Sequence, residues 1–199
     1  VAAVEDAAAD GADLVVLPEL FTVGYFAFDS YAREAEALDG PTLSRMADAA
    51  DDFDVGLLAG TLVEDLAASA DAGLDVPAAD GLASTATLFD RDGTRRLVSR
   101  TRNLYGYAAA ADRLDRLVTG ERLPTAEFEG FTLGVTTGST LRRPEPYRGL
   151  VDAGATLLAV PSAWPYPRVE QWATLPRARA VENAAYVACA NGAGSFADA

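Results

Sequence analysis

The sequence Leu14-Val15-Val16-Leu17-Pro18-Glu19 places four apolar residues directly before a proline and a carboxylate. A run that is apolar on both faces is typical of a strand buried between two layers of a domain. Ligand sites of α/β proteins lie at the carboxyl ends of such strands. The segment therefore predicts a layered α/β fold with Glu19 at the ligand-binding edge of a sheet.

Strands and helices alternate along the rest of the chain. Spacing and turn residues predict helices over 1–9, 41–53, 144–153 and 168–183, and further strands over 55–63, 156–160 and 185–190. Turn residues at 90–93 and Gly130 predict hairpins over 85–98 and 125–136. Residues 64–80 are interpreted as a surface excursion and residues 102–124 as irregular. The pattern indicates an α/β class with a mixed sheet, in one domain over residues 1–199.

The charge of the chain is strongly acidic. Its 199 residues include sixteen basic ones, all arginine, and thirty acidic ones, which gives a net charge of −14. That charge repels phosphate and anionic lipid, so we expect no nucleic-acid partner and no membrane partner. With no secretory pattern at the N-terminus, the composition suggests a halophilic cytoplasmic protein, whose self-repulsion salt would screen. A generally acidic mesophilic protein is the alternative.

The chain contains no histidine, and its one cysteine is Cys189. These counts exclude serine–histidine triads, cysteine–histidine dyads, histidine metal sites, an internal disulfide and a zinc–thiolate cluster. We therefore expect no metal and no cofactor. Cys189 falls in an apolar strand, which is typical of a buried, inert core thiol.

Glu19 is the first candidate for chemistry. Leu20, Phe21 and Tyr25 follow it closely, and an apolar setting disfavours the charged form of a carboxyl group. A carboxyl group tuned in this way can act as a general base near neutral pH. The alternative is a carboxylate that caps a turn or pairs with an arginine.

Two further segments have the form of site loops. In residues 134–145 a strand breaks into a turn rich in Gly, Thr and Ser, with Gly138 at its tip, before a helix that begins with proline. Such turns can hold a nucleophile and point N–H groups at an oxyanion, although an ordinary connection looks the same. Residues 160–165 end a strand in a loop containing Ser162 and Trp164. This loop could wall a pocket, or Trp164 could belong to the core.

Together these segments resemble the carbon–nitrogen hydrolase (nitrilase/amidase) superfamily, in the same order over almost the whole chain. The matching residues are Leu17-Pro18-Glu19, Gly134-Val135, Leu141-Arg142, Pro144-Glu145, Gly154-Ala155, Pro161-Ser162-Ala163-Trp164, Arg179-Ala180-Val181-Glu182-Asn183, Tyr186-Val187 and Asn191-Gly192. The resemblance implies an αββα sandwich of two mixed sheets with outer helices. It also implies a homodimer or higher homo-oligomer assembled through the helix-covered face. Relative to the superfamily, the first strand and the C-terminal segment are missing, as if the chain were truncated at both ends.

The resemblance also assigns site residues. Superfamily members use a glutamate base, a lysine that stabilises the oxyanion and a cysteine nucleophile. By position, Glu19 retains the base, Thr101 stands where the lysine is expected and Gly138 stands where the cysteine is expected. Because the chemistry needs a thiolate, a base and a cation together, the pattern predicts a pseudoenzyme without cysteine-dependent activity.

The implied pocket contains Tyr25, Ser139, Ser162 and Trp164, and a small amide-, carbamoyl- or nitrile-like compound is the expected ligand. Three alternatives stay open from the sequence. The chain could be an active hydrolase in which Glu19 activates water or Ser139, with Arg100 or Arg102 as the cation. It could also be a non-catalytic ligand-binding or structural homologue, or a decayed fragment. An open polar cleft at the site would favour ligand binding, and a filled cavity would favour a scaffold.

Overall fold

The computed structural model describes residues 1–104 and 117–194. The helices are α1 Ala2–Ala9, α2 Tyr31–Glu34, α3 Pro41–Asp52, α4 Leu66–Asp71, α5 Pro144–Asp152 and α6 Val169–Asn183. The strands are β1 Leu14–Val16, β2 Gly56–Asp65, β3 Leu82–Phe89, β4 Arg95–Arg100, β5 Thr125–Phe128, β6 Phe131–Val135, β7 Leu157–Ser162 and β8 Tyr186–Asn191. Much of the predicted irregular segment 102–124 lies outside the described residues, as do the last five residues of the predicted single domain.

The strands form two four-stranded sheets, in the orders β1-β2-β3-β4 and β5-β6-β7-β8. In the first sheet β1 runs parallel to β2, and the other two pairs are antiparallel. In the second sheet β5 and β6 form an antiparallel hairpin, while β6, β7 and β8 run parallel. Both sheets are therefore mixed, and both predicted hairpins are confirmed.

Three apolar layers hold the sheets and helices together. In the middle layer Leu58 and Leu88 of the first sheet pack with Leu133 and Val135 of the second. Residues of α1 and α3 cover the outer face of the first sheet, and residues of α5 and α6 cover that of the second. Alternate strand residues serve opposite layers, as Leu57 and Leu58 do, because side chains of a strand alternate between its faces. The αββα sandwich predicted from the resemblance is confirmed.

The interpretation of residues 64–80 as a surface excursion is wrong for their first part. Strand β2 continues through Asp65, and α4 follows it directly. Glu64, Leu66 and Ser69 have no exposed surface. The Ser69 hydroxyl accepts a hydrogen bond from the Leu38 N–H at 3.1 Å. A run of small and acidic residues is typical of a solvent-exposed segment. Here these residues are buried, because distant segments supply their hydrogen-bond partners.

The helices of the described chain are all too short or too polar to cross a membrane. Within the same residues, no group of three or more His, Cys, Asp or Glu side chains is arranged to hold a metal ion.

Candidate functional site

A glycine in β2 positions the segment that carries Glu19. A Cβ atom at Gly60 would overlap the carbonyl oxygens of Leu17 and Pro18 and lie 2.6 Å from the Leu17 carbonyl carbon. The β2–β3 pairing shifts register between Ala59 and Leu62, so the strand bulges toward this segment. Thr61 at the bulge accepts hydrogen bonds from Leu20 N–H, through its hydroxyl at 2.8 Å, and from Phe21 N–H. The direction of the chain after β1 is therefore fixed by close backbone contact with β2, which a glycine allows because it has no Cβ.

The Glu19 carboxyl group is buried, with 8% of the residue exposed. Its Oε2 accepts one hydrogen bond, from the Ala163 N–H at 3.2 Å, and its own N–H donates to the Ser162 carbonyl at 3.3 Å. Burial raises the pKa of Glu19 from 4.5 to about 7, and the Ala163 hydrogen bond opposes part of that rise. Leu20, the next residue, has a φ of +52°. Left-handed backbone at a non-glycine residue is strained, and such strain concentrates at functional sites.

The raised pKa of Glu19 predicts a specific pH dependence of stability. Between pH 4.5 and about 7 the folded chain keeps a proton at Glu19 that the unfolded chain has released. The stability from this group is therefore complete below pH 4.5 and is lost as the pH rises through about 7. Urea unfolding measures this effect. Between pH 4.5 and 8 the free energy of unfolding of the wild type should fall by about 3 kcal/mol, and that of the Glu19→Gln variant should not. The exposed-site variant Glu5→Gln should follow the wild type. Equal pH dependence of all three would contradict the burial of an ionisable Glu19.

Gly138 opens a one-turn 3-10 segment, Gly138–Arg142, between β6 and α5. A Cβ atom at Gly138 would overlap Ser162 Oγ, and it would lie 2.9 Å from Ser162 Cβ and 3.2 Å from Ser162 Cα. Ser162 has no exposed surface, and its hydroxyl has no hydrogen-bond partner among the described residues. The volume that a side chain at Gly138 needs is therefore occupied by Ser162. Ser162 lies behind Gly138 and is not among the lining residues of the cavity or the groove beside Glu19.

This contact predicts an energetic coupling between Gly138 and Ser162. Gly138→Ala should lower the free energy of unfolding by about 1–3 kcal/mol, since overpacking forces neighbouring atoms apart. The same substitution in a Ser162→Gly background should cost less than half as much, because the overlapping atoms are gone. Gly192→Ala is the matched control and should be nearly neutral, as nothing lies within 4 Å of its added Cβ. Additive losses in the double variant would contradict the overlap.

Thr101 follows β4 and is 5% exposed. Its N–H donates to the Ser84 carbonyl at 2.8 Å, which extends the β3–β4 ladder by one residue. Thr101 lines a small cavity together with Glu19, Tyr25, Ser84 and Ser139. The structure thus brings Glu19, Thr101 and Ser139 to one cavity, with Gly138 directly before Ser139 in the chain.

The suggested substitutes for the missing groups are occupied or turned away. The Ser139 hydroxyl donates to the Asn103 carbonyl oxygen. The Arg100 guanidinium forms two hydrogen bonds with the Glu64 carboxylate, at 2.7 and 2.8 Å, and a third with the Asp75 carbonyl. Arg102 is exposed. Cys189 is half-buried, and burial raises the pKa of its thiol to about 11, which keeps it protonated.

A groove runs outward from Glu19. It has a volume of about 900 Å³, and Tyr25, Trp164, Trp172 and Asn191 are among its lining residues. Trp164 also packs in the outer core with the Arg142 guanidinium 4.1 Å from its ring centre, and its indole N–H donates to the Arg168 carbonyl at 2.8 Å. Trp164 therefore lines the groove with one part of its side chain and belongs to the outer core with the rest.

Arg179 is a positioning residue that the sequence analysis quoted without a role. Its guanidinium donates two hydrogen bonds to the Leu141 carbonyl, at 2.8 and 3.1 Å, and forms an ion pair with Glu182 at 2.6 Å. Arg179 is 6% exposed and lies beside the Tyr147 ring. It therefore fixes the end of the Gly138–Arg142 turn to α6. The signal in the sequence was an arginine and a glutamate three residues apart on a predicted helix, a spacing that allows an ion pair.

Comparison with known proteins identifies the family. The sequence model of the carbon-nitrogen hydrolases matches residues 1–198. The chain belongs to this family. It is 31% identical over 182 residues to a 2-oxoglutaramate amidase of Paenarthrobacter nicotinovorans, covering 90% of this chain and 59% of that protein. It is 34% identical over 187 residues to a Pseudomonas protegens protein named as a hydrolase in the pqqF 5′ region, with 92% and 59% covered. The chain thus spans about 59% of the length of these two relatives.

Solved structures of carbon-nitrogen hydrolases superpose on the same fold. Nit3 of Saccharomyces cerevisiae, from branch 10 of the nitrilase superfamily, has a TM-score of 0.83 at 24% identity, with 99% of this chain and 69% of that chain covered. The amidase of Nesterenkonia sp. AN1 has a TM-score of 0.75 at 28% identity, with 96% and 69% covered. That structure is of a glutamate-to-glutamine mutant of the amidase, in which acrylamide has added to the active-site cysteine.

The described site of this family member holds a buried acid and two backbone-lined turns. Glu19 can take or give a proton near neutral pH. The described residues of the site provide neither a thiol nor an unengaged cation for a developing negative charge. The arrangement can bind a small polar molecule at the inner end of the groove and exchange a proton with it.

Proposed function

We propose that this carbon-nitrogen hydrolase family member is a pseudoenzyme. It keeps the acid and the groove, and it binds a small amide-, carbamoyl- or nitrile-like ligand without hydrolysing it through a cysteine. Loss of the nucleophile removes the covalent route, and loss of one preorganised charge stabiliser costs about 10²–10³ in rate.

One observation carries this proposal: the fit of Ser162 against Gly138. A nucleophile that was merely absent would leave a void where its side chain belongs. Here a Cβ atom at Gly138 would overlap Ser162 Oγ. Ser162 of β7 therefore occupies the space that a side chain at position 138 would need, while the Glu19 carboxyl remains unpaired with any arginine of the described chain.

The ligand class is inferred from the relatives and from the polar groups of the site. Two of the relatives are named as 2-oxoglutaramate amidases. A neutral Glu19 donates a hydrogen bond and a charged one accepts, so the residue suits the carbonyl and the N–H₂ of an amide equally. The groove lined by Tyr25 and Trp164 supplies the apolar wall that small-molecule sites share.

The test combines turnover with binding. The chain is incubated with short ω-amides including 2-oxoglutaramate, with carbamoyl-amines and with nitriles, and ammonia release is measured. The Nesterenkonia amidase is assayed in parallel as the active control. We expect no ammonia above buffer from this chain. We also expect at least one compound to change its tryptophan fluorescence saturably, and the Glu19→Ala variant, which removes both the donor and the acceptor, to bind that compound more weakly.

Three outcomes would contradict the proposal in distinguishable ways. Turnover that Glu19→Gln abolishes would show an active hydrolase. If Ser139→Ala abolished it as well, serine would be the nucleophile, whereas turnover without a burst that survives Ser139→Ala would indicate water. Neither turnover nor binding would indicate a structural homologue.

The finer predictions on surface and assembly belong to the same proposal. Tyr166, Val169 and Val181 lie in or beside α6 with large exposed fractions, which suits a homo-oligomer formed through a helix-covered face. The acidic surface suits a halophilic, cytoplasmic protein. Light scattering at high and low salt tests whether the chain forms a homo-oligomer and whether its folded state depends on salt. A monomer at every concentration, stable without salt, would contradict both predictions.

A further inference from the structure

The cavity beside Glu19 is small, and a few polar groups face its otherwise apolar lining. Its volume is about 20 Å³, which holds about one water-sized particle. Glu19, Ser84, Thr101 and Ser139 are among its described lining residues, together with the rings of Tyr25 and Tyr31.

Two hydroxyl groups of this cavity lack partners. Ser84 and Thr101 are each 5% exposed, and neither hydroxyl has a hydrogen bond to a described residue. The two residues are neighbours, because the Thr101 N–H donates to the Ser84 carbonyl at 2.8 Å. Buried hydroxyls are nearly always hydrogen-bonded, so a pair of unpartnered ones indicates a bound species.

The third group is the Glu19 carboxylate. It accepts a single hydrogen bond, from Ala163, and forms no ion pair with a described arginine. A buried carboxylate in that situation either holds a proton or holds a cation. A water molecule would satisfy the hydroxyls and leave the negative charge uncompensated above neutral pH.

We propose that this cavity binds a monovalent cation of ammonium size, NH₄⁺ or K⁺, between the Glu19 carboxylate and the hydroxyls of Ser84 and Thr101. Both ions are about the size of the water molecule that the cavity admits. A divalent ion is disfavoured, since the one carboxylate present would leave half of its charge uncompensated in a buried site. The inference concerns the cavity alone and holds whether or not the groove binds an amide.

The experiment measures thermal unfolding of the whole chain at pH 8 and pH 5. Chloride salts of NH₄⁺, K⁺ and tetramethylammonium are compared at one ionic strength, since the last ion is too large for the cavity. At tenfold excess over its Kd, NH₄⁺ or K⁺ should raise Tm by about 3–5 °C above tetramethylammonium at pH 8. At pH 5, where Glu19 is protonated, the difference should vanish.

Two variants assign the effect to the cavity. Glu19→Gln should abolish the cation dependence, and the exposed-site control Glu5→Gln should keep it. Thr101→Lys should abolish it independently, because a lysine at the end of β4 brings its own ammonium group to the cavity. Equal Tm in all three salts at pH 8 would overturn the proposal in favour of a water molecule. So would an NH₄⁺ or K⁺ advantage that persists in Glu19→Gln or Thr101→Lys, which would indicate a general salt effect.

Discussion

Replacing Gly60 by alanine is expected to lower the free energy of unfolding by about 3–5 kcal/mol. The added Cβ would overlap the carbonyl oxygens of Leu17 and Pro18. These are backbone atoms of the chain leaving β1, so no side-chain rotation relieves the overlap. The variant must separate that chain from β2 and lose hydrogen bonds such as that from Leu17 N–H to Leu58 O, in addition to the strain.

Urea unfolding followed by tryptophan fluorescence measures this loss. The matched control is Gly149→Ala, in the middle of α5, where the nearest atom to the new Cβ is Leu123 Cδ1 at 3.3 Å. A flexible side chain can move by a few tenths of an ångström, and alanine favours helix over glycine by about 0.5–1 kcal/mol. Gly149→Ala should therefore be neutral or slightly stabilising. Similar losses for the two variants would contradict the close approach at Gly60.

Replacing Arg100 by methionine is expected to cost about 3–5 kcal/mol of stability. Glu64 has no exposed surface, and Arg100 is its only charged partner among the described residues. Removing one member of a buried ion pair leaves the other charge without compensation. The Thr85 hydroxyl, which donates to Glu64 Oε2 at 2.6 Å, is too weak to replace a guanidinium.

A small set of variants separates the pair from the packing of its side chains. The double variant Arg100→Met with Glu64→Gln should recover most of the loss, because no buried charge remains. The stability of Arg100→Lys should lie between those of the wild type and Arg100→Met, since an ammonium group keeps the charge but not the two parallel hydrogen bonds. Arg33→Met breaks an exposed ion pair with Glu34 and should cost less than about 1 kcal/mol. A double variant as unstable as the single one would contradict this account.

The role of Arg100 also bears on function. The sequence left it as a candidate cation for an altered hydrolase, next to Thr101. In the structure its guanidinium is committed to Glu64 on the other side of β4, where it stabilises the fold. Arg100 is therefore not available as the cation of an altered hydrolase, which agrees with the proposed function.

Local patterns predicted the strands, the hairpins and four helices of the described chain, α1, α3, α5 and α6, but not the short helices α2 and α4. Helix α3 begins at Pro41, and the β3–β4 hairpin turns at Asp90-Arg91-Asp92-Gly93. Proline starts, glycine turns and apolar runs act within a few residues, so sequence alone encodes them. The prediction for residues 64–71 was wrong because local patterns cannot show contacts between distant residues. The burial of Glu64 depends on Arg100, which is 36 positions away.

The sequence by itself determined that this is a layered α/β protein with an acid at the end of a buried strand, no histidine and no lysine. The tertiary structure decided which atoms meet around that acid. Ser162 fills the space at Gly138, and Ala163 binds Glu19 across 144 positions of chain. Such contacts depend on how two sheets pack face to face. A shift of one residue in strand register would reverse which side chains face the site, and no pattern of neighbouring residues encodes that choice.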